Sequence, residues 1–250
     1  QHVLNLTKMH FKNLSIILVD TQLPENIGLV ARSMFNFGFE KLKLVNPKVD
    51  WPNEKALAVS VDASSIIENA SIYSSLREAL NDETYSIAFT ARKRDMNKEF
   101  FNSNEVIQNV SNNLKKENIA VVFGGESSGL TNDHLSLVSK CATIDTHTNF
   151  SSLNLSHAVN VFCFSVFNSL TKISDNASFN NEIQTNQNDL LYFFDHLEKE
   201  LEERGFFQPP EKMTKMKQNL RNIFHRADLN DREIATLRGV VTVLTEYKKS

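Results

Sequence analysis

The segment FGGESSGLTN (123–132) sets Gly124 and Gly129 at the glycine spacing of a phosphate-binding loop, with Thr131 close to the expected hydroxyl position. Residue 130 is Leu, where such a loop needs a lysine to reach the phosphates, so a nucleotide-triphosphate enzyme is a poor reading. Spacing alone favours a tight strand-to-helix turn that uses glycine for backbone freedom. Glu126 inside that turn repels phosphate. Its carboxylate is better suited to accepting hydrogen bonds from a neighbouring helix or backbone.

Two other segments join polar groups to apolar helical runs. PENIGLVAR (24–32) places Asn26 and Arg32 near a helix start. They are six residues apart, so they do not share one helical face, though both can approach a site at the strand ends. Alone, Arg32 reads as a solvated helix charge. SSLNLSHAVNVFCF (151–164) opens with Ser151, Ser152 and Asn154 and becomes apolar. Ser151 or Ser152 is expected to cap that helix, with Asn154 in the first turn and Ser156 and His157 on its surface. His157 has no acidic or thiol neighbour in sequence to build a triad or a metal site and takes no role.

Basic runs occur in TARKRDMNK (90–98), with Arg92, Lys93 and Arg94, and in KMTKMKQNLRNIFHR (212–226), with Lys215, Lys217 and Arg221. Such runs are usually solvated faces. In a chain of net charge −3 they are modest evidence for a phosphate-backbone partner.

These residues need a scaffold. Apolar runs at 14–20, 41–47, 85–91, 118–124 and 141–146 read as strands. Helical patterns fall at 24–37, partly over 54–70, and at 74–82, 103–117 and 131–140, and again from 151. Strands alternating with helices predict an α/β fold, a parallel sheet with helices on both faces. Ligands of such sheets sit beyond the carboxyl ends of the strands, where TARKR, GGESSG and HTNFSSLN all fall. After residue 172 an Asn- and Ser-rich stretch (173–189) reads as a linker, and helical patterns at 190–205, 209–227 and 230–247 read as a small appendage.

The bulk numbers narrow the class. With 250 residues, 41% of them hydrophobic, the chain can hold one large domain and an appendage. No apolar run reaches the ~18 residues of a membrane span. The N-terminal QHVLNLTKMHFKN lacks a basic region followed by an apolar core, so no signal peptide is expected. Cys141 and Cys163 form no CxxC pair, which argues against a disulfide framework or zinc site and suits a cytoplasmic protein with reduced thiols.

Taken in order, PENIGLVARSMFNFGF, FGGESSGLTN and SSLNLSHAV resemble the three motifs of the SpoU branch of the SPOUT RNA methyltransferases: N-x-G-x-x-x-R, G-x-E-x-x-G and S-L-N-x-S. The resemblance covers about residues 12–172. Within the branch the chain is similar to the bacterial enzymes that methylate the ribose of cytidine or uridine 32 in the tRNA anticodon loop. NPK after the second strand, TARKR, SSLNL and the helical extension carry that likeness, whereas Gly125 and Ser127 stand where subgroup members often have Arg.

The resemblance implies a SPOUT α/β knot, a mostly parallel sheet with a deep C-terminal trefoil knot. It implies a methyltransferase domain at 12–172, a linker at 173–189 and a helical extension at 190–250. S-adenosylmethionine would be held by knot loops, with Thr90, Ala91, Gly124, Ile144, Ser151, Ser152 and Leu153 lining its pocket. A ribose 2′-oxygen would attack the methyl group. The family gives the activating role to the arginine of the first motif, here Arg32. Because an arginine stays protonated, Arg32 is expected to bind the adjacent phosphate and stabilise the developing alkoxide. Asn26, Glu126, Ser152 and Asn154 would orient it, the ribose and the knot backbone. The implied partners are tRNA, touched by Arg92, Lys93, Arg94, Lys215, Lys217 and Arg221, and a second copy in a homodimer. No metal and no membrane are implied. The alternatives are another tRNA or rRNA nucleotide as target, or an RNA-binding protein that keeps this fold without catalysis.

Overall fold

The structure is a computed structural model that describes residues 11–91, 100–114, 116–147, 149–173, 187–227 and 229–246. The basic run at 92–98 and linker residues 174–186 lie outside the described residues.

The chain begins with β1 (Phe11–Val19), α1 (Pro24–Asn36) and β2 (Phe39–Val45). Pro24 opens α1 with its φ already helical, and Gly38 turns the chain back at φ 76°. Short helices α2 (Glu54–Ser60) and α3 (Ser64–Glu68) lead to β3 (Ser71–Tyr73), α4 (Leu76–Leu80) and β4 (Tyr85–Phe89). Then follow β5 (Phe100–Asn102), α5 (Ser103–Asn113), β6 (Ile119–Gly124), α6 (Asn132–Leu137), β7 (Lys140–Thr143) and α7 (Leu155–Ile173). The C-terminal helices are α8 (Gln187–Glu203), α9 (Met213–Ala227) and α10 (Asp231–Glu246).

The strands form one sheet in the order β3-β2-β1-β6-β4-β7-β5, and every described pair is parallel. The carboxyl ends of β4, β6 and β7 therefore share one edge. β1, β4 and β6 are buried almost throughout, which explains their near-continuous apolar runs.

Alternation along β1 separates two cores. Leu14, Ile16 and Leu18 point to one face, packed with Ile27 and Val30 of α1 and Val159 and Phe162 of α7. Ile17 and Val19 point to the other face, with Ala120 and Val122 of β6 and Leu135 of α6. Leu191, Phe193 and Phe194 of α8 and Ile234 of α10 belong to that second core. The C-terminal helices thus cover the sheet's second face over α4 and α6.

Several local readings shift. β3 and β5 go unpredicted because three residues are too few for a period to register. The stretch 54–70 breaks into α2, a 3-10 turn at Val61–Ala63 and α3. The cap of α5 is Asn102. Its side chain accepts from the Glu105 N–H and Glu105 returns the bond, a full capping box. At the start of α10, Asn230 Oδ1 accepts from the Glu233 N–H at 3.0 Å.

Candidate functional site

A pocket opens at the carboxyl ends of β4, β6 and β7. Its walls are Thr90 and Ala91 after β4, residues 124–130 after β6, Ile144 after β7, and Ser151–Leu153 before α7. Phe89 and Phe123, stacked at 5.4 Å, contribute apolar wall where β4 and β6 end. The loop after β6 is folded back tightly: a Cβ on Gly124 would run into the backbone of Gly129 and Leu130, and one on Gly125 into the Asp20 carbonyl. In this conformation the loop leaves no space for a side chain at position 125.

All seven residues expected to line a cofactor pocket, Thr90, Ala91, Gly124, Ile144, Ser151, Ser152 and Leu153, line this one. Beside it, three sequence-distant groups join in a hydrogen-bonded chain. Asn26 Nδ2 donates to Glu126 Oε1 at 2.6 Å, and Asn154 Nδ2 donates to Asn26 Oδ1 at 3.1 Å. Asn154 Oδ1 accepts from the Ser156 backbone N–H at 2.8 Å and from Ser156 Oγ at 2.7 Å. At the other end Glu126 Oε2 accepts from the Gln22 backbone N–H at 2.9 Å, and Gln22 Nε2 donates to Ser127 Oγ at 2.9 Å. Gln22 was not singled out from sequence, because its partners lie across the fold.

The cap of α7 is corrected by the same contacts. Asn154, not Ser151 or Ser152, holds the first turn, accepting from the Ser156 N–H while its carbonyl receives the Ala158 N–H. Ser151 and Ser152 are left exposed at the pocket wall. Ser156, expected on the helix surface, is buried.

Arg32 is not brought to this pocket. It lies exposed on another face of α1 and has no hydrogen-bond or ion-pair partner among the described residues. Leu29 and Phe35 are exposed on the same helix, and Val161 and Phe164 on α7, at 38%, 50%, 39% and 53%. Phe37 at the end of α1 meets Phe164 and Phe167 of α7 at 6.0 and 5.7 Å, so the two helices present adjoining apolar surface.

Of the residues expected to touch RNA, Lys215 is exposed. Arg92, Lys93 and Arg94 lie outside the described residues. Arg221 is corrected to a structural role. Its Nε and Nη2 bind both oxygens of Glu198 at 2.6 and 2.9 Å, and Nη1 reaches Ser136 Oγ of α6 at 3.2 Å. Lys217 is likewise committed, paired with Glu202 at 2.7 Å and lying over the Phe207 ring. Arg221→Gln removes both the bidentate pair and the charge that a phosphate contact would use. It should cost about 1–3 kcal/mol of stability and leave the salt dependence of RNA binding unchanged. A flatter salt dependence with unchanged melting would return Arg221 to the RNA face.

Electrostatics add two facts. Desolvation holds the His134 pKa below its ordinary value, against Asp20 and Asp133, which raise it. The neutral ring suits Nδ1, which accepts from the Thr131 N–H at 3.4 Å and so helps cap α6. Burial pushes the Cys163 thiol pKa far up, so it is an inert core group. Among the described residues no cluster of His, Cys, Asp and Glu could hold a metal ion.

The model of the SpoU rRNA methylase family matches residues 13–164. The model of the C-terminal domain of the tRNA methyltransferase TrmJ matches residues 188–250. The tRNA (cytidine/uridine-2′-O-)-methyltransferase TrmJ of Pectobacterium atrosepticum is 33% identical over 92% of this chain and 95% of its own length. The crystal structure of TrmJ from Z. mobilis superposes with a TM-score of 0.81 at 32% identity, covering 92% of this chain and 98% of that one. A probable methylase family protein from Haemophilus influenzae gives 0.63 at 31% identity, covering 94% and 96%. The two family models and the relatives together match nearly the whole length, and the chain belongs to the SpoU methylase family, in its TrmJ group of methyltransferases.

Proposed function

We propose that this chain methylates the ribose 2′-oxygen of a tRNA nucleotide, cytidine or uridine 32 of the anticodon loop, with S-adenosylmethionine as donor. The observation that carries the reading is the hydrogen-bonded chain Glu126–Asn26–Asn154, which ties the three motifs together beside one pocket. That pocket suits the donor. Phe89, Phe123, Ile144 and Leu155 offer apolar wall for a flat base, while the exposed serines and the Glu126 carboxylate suit a polar amino-acid end and a cationic sulfur. When bound, the donor supplies a methyl group on a positively charged sulfonium.

The chain's own residues supply position and charge control. Glu126, Asn26 and Asn154 hold the pocket loop, α1 and the start of α7 in register. Ser151, Ser152 and Leu153 form the wall where α7 begins. Arg32 remains a guanidinium and neutralises the nucleotide's phosphate and the developing alkoxide. Its distance from the chain's own pocket is reconciled by a homodimer. A second copy seated on the apolar surface of α1 and α7 would bury Leu29, Phe35, Val161 and Phe164 and carry Arg32 to the partner's pocket. Lys215 would meet RNA from the extension (190–250), which follows a methyltransferase domain at 12–172. The trefoil knot and a cytoplasmic location belong to the same reading.

The deciding experiment is methylation of unmodified total tRNA with labelled donor, followed by mapping of the modified nucleotide. Label on the 2′-oxygen of nucleotide 32 is the expected result. Label elsewhere selects another RNA target, and absence of donor binding by calorimetry selects the non-catalytic RNA-binding alternative. A second measurement isolates the pocket. Ser152→Ala should leave stability within about 0.5 kcal/mol, since Ser152 caps nothing, and weaken donor binding about tenfold. Wild-type donor affinity would remove Ser152 from the site.

A further inference from the structure

The polarity of the Glu126–Asn26–Asn154 chain follows from its Ser156 end. Both groups that Ser156 presents, the backbone N–H and the Oγ hydroxyl, donate to one atom, Asn154 Oδ1. Only an oxygen can take two donors, so the Asn154 amide has a single satisfied orientation, with Nδ2 turned to Asn26. Asn26 must then accept through Oδ1 and donate through Nδ2, which brings a donor to Glu126 Oε1. Turning Asn154 over would set its NH2 group against the Ser156 backbone N–H, where only the hydroxyl can rotate to accept from it, and its oxygen against Asn26 Oδ1. Turning Asn26 as well would press an amide oxygen on the Glu126 carboxylate at a separation now 2.6 Å. An error at the Ser156 end would thus end as like poles facing each other at the pocket wall. Asn26 and Ser156 are both 4% exposed and sheltered from water, whereas Asn154 between them is exposed.

We propose that Ser156 is a positioning residue for methyl transfer: it sets the direction of the Asn154–Asn26–Glu126 chain and thereby the placement of the loop at 124–130 against α1 and the start of α7. This inference rests on the proposed methyltransferase reading. Ser156 touches no substrate. It acts through Asn154, and the backbone N–H that it keeps on substitution retains part of the bias.

The test uses the full chain and three variants, Ser156→Ala, Asn154→Ala and Asn154→Asp, each assayed for melting temperature, donor binding by calorimetry and steady-state methylation of tRNA. Ser156→Ala should lower kcat about tenfold, leave the tRNA KM within about twofold and leave the melting temperature nearly unchanged, a split that a purely structural residue does not give. Asn154→Asp can still accept from Ser156 but cannot donate to Asn26, so it forces the reversed contact. It should be slower than Asn154→Ala, which merely removes the link. Wild-type kcat in Ser156→Ala, or an Asn154→Asp chain faster than Asn154→Ala, overturns the inference. If Ser156→Ala fails to fold, the order of the two Asn154 variants decides alone. A wild-type chain that methylates no tRNA overturns the functional reading and this role with it, whereas an active wild type with insensitive variants overturns the role only.

Discussion

Arg32→Ala is expected to slow methyl transfer by about 100- to 1,000-fold, the usual loss when a charge-stabilising donor is removed from a reacting centre. Donor binding should stay within about twofold and melting should be unchanged. The second half of that expectation comes directly from the structure. Arg32 is exposed and unpaired among the described residues, so there is no folding contact to lose. A mutation that silences an enzyme while leaving its stability and its donor pocket intact marks a group that meets the substrate. The homodimer reading sharpens the test. If Arg32 serves the partner's pocket, mixing the Arg32→Ala chain with a chain disabled at Glu126 should restore a fraction of activity, because some mixed dimers hold one intact site. Activity retained in Arg32→Ala alone would remove the residue from the mechanism. Lack of recovery on mixing, with subunit exchange demonstrated, would place Arg32 and the pocket in the same chain's site.

The second large effect is expected at Phe194→Ala, with a loss of about 3–5 kcal/mol. Phe194 is 1% exposed and its ring meets those of Phe193, Phe224 and His225 at 6.0, 6.2 and 5.3 Å. It sits in the core shared by the second face of the sheet and the C-terminal helices. Against a total stability of about 5–15 kcal/mol, that loss destabilises more than the extension. α6, gripped through Ser136 by Arg221 and His225, directly follows the pocket loop, and Leu130 of that loop lies in the same core. Calorimetry should therefore find donor binding weakened together with the melting transition. A single unfolding transition is expected in the wild type. Two separate transitions, with only the upper one coupled to donor binding, would show that the extension folds on its own.

Much of the scaffold was legible in the chain itself. The apolar runs of β1, β4 and β6 announce strands buried on both faces, and their alternation with helical periods gives a parallel sheet whose ligand edge is known in advance. The residues expected at the pocket came from the resemblance of the three motifs to the family, and the strand pattern by itself placed only the segments TARKR, GGESSG and HTNFSSLN at the strand ends. Misreadings cluster where information is short-range or shared. β3 and β5 are too brief to show a period. Asn154 took the capping role given to neighbouring serines, and at a helix start several adjacent polar residues satisfy the same local pattern. The basic pattern at 212–226 could not reveal that Arg221 had a carboxylate waiting on α8.

What the sequence determined by itself was the set of elements, their order and the chemical types gathered near the strand ends, because periodicity and turn chemistry are written in residues a few positions apart. Only the tertiary structure decided which of those polar groups meet. Asn26 and Glu126 are separated by 100 residues, and Asn26 and Asn154 by 128, so their contact depends on how the parallel strands are ordered, not on any local pattern. The same ordering left Arg32 exposed and outside the lining of its own pocket, buried Ser156, and set the C-terminal helices over one face of the sheet. In each case local preference left several options of similar energy, and burial against a distant partner selected one.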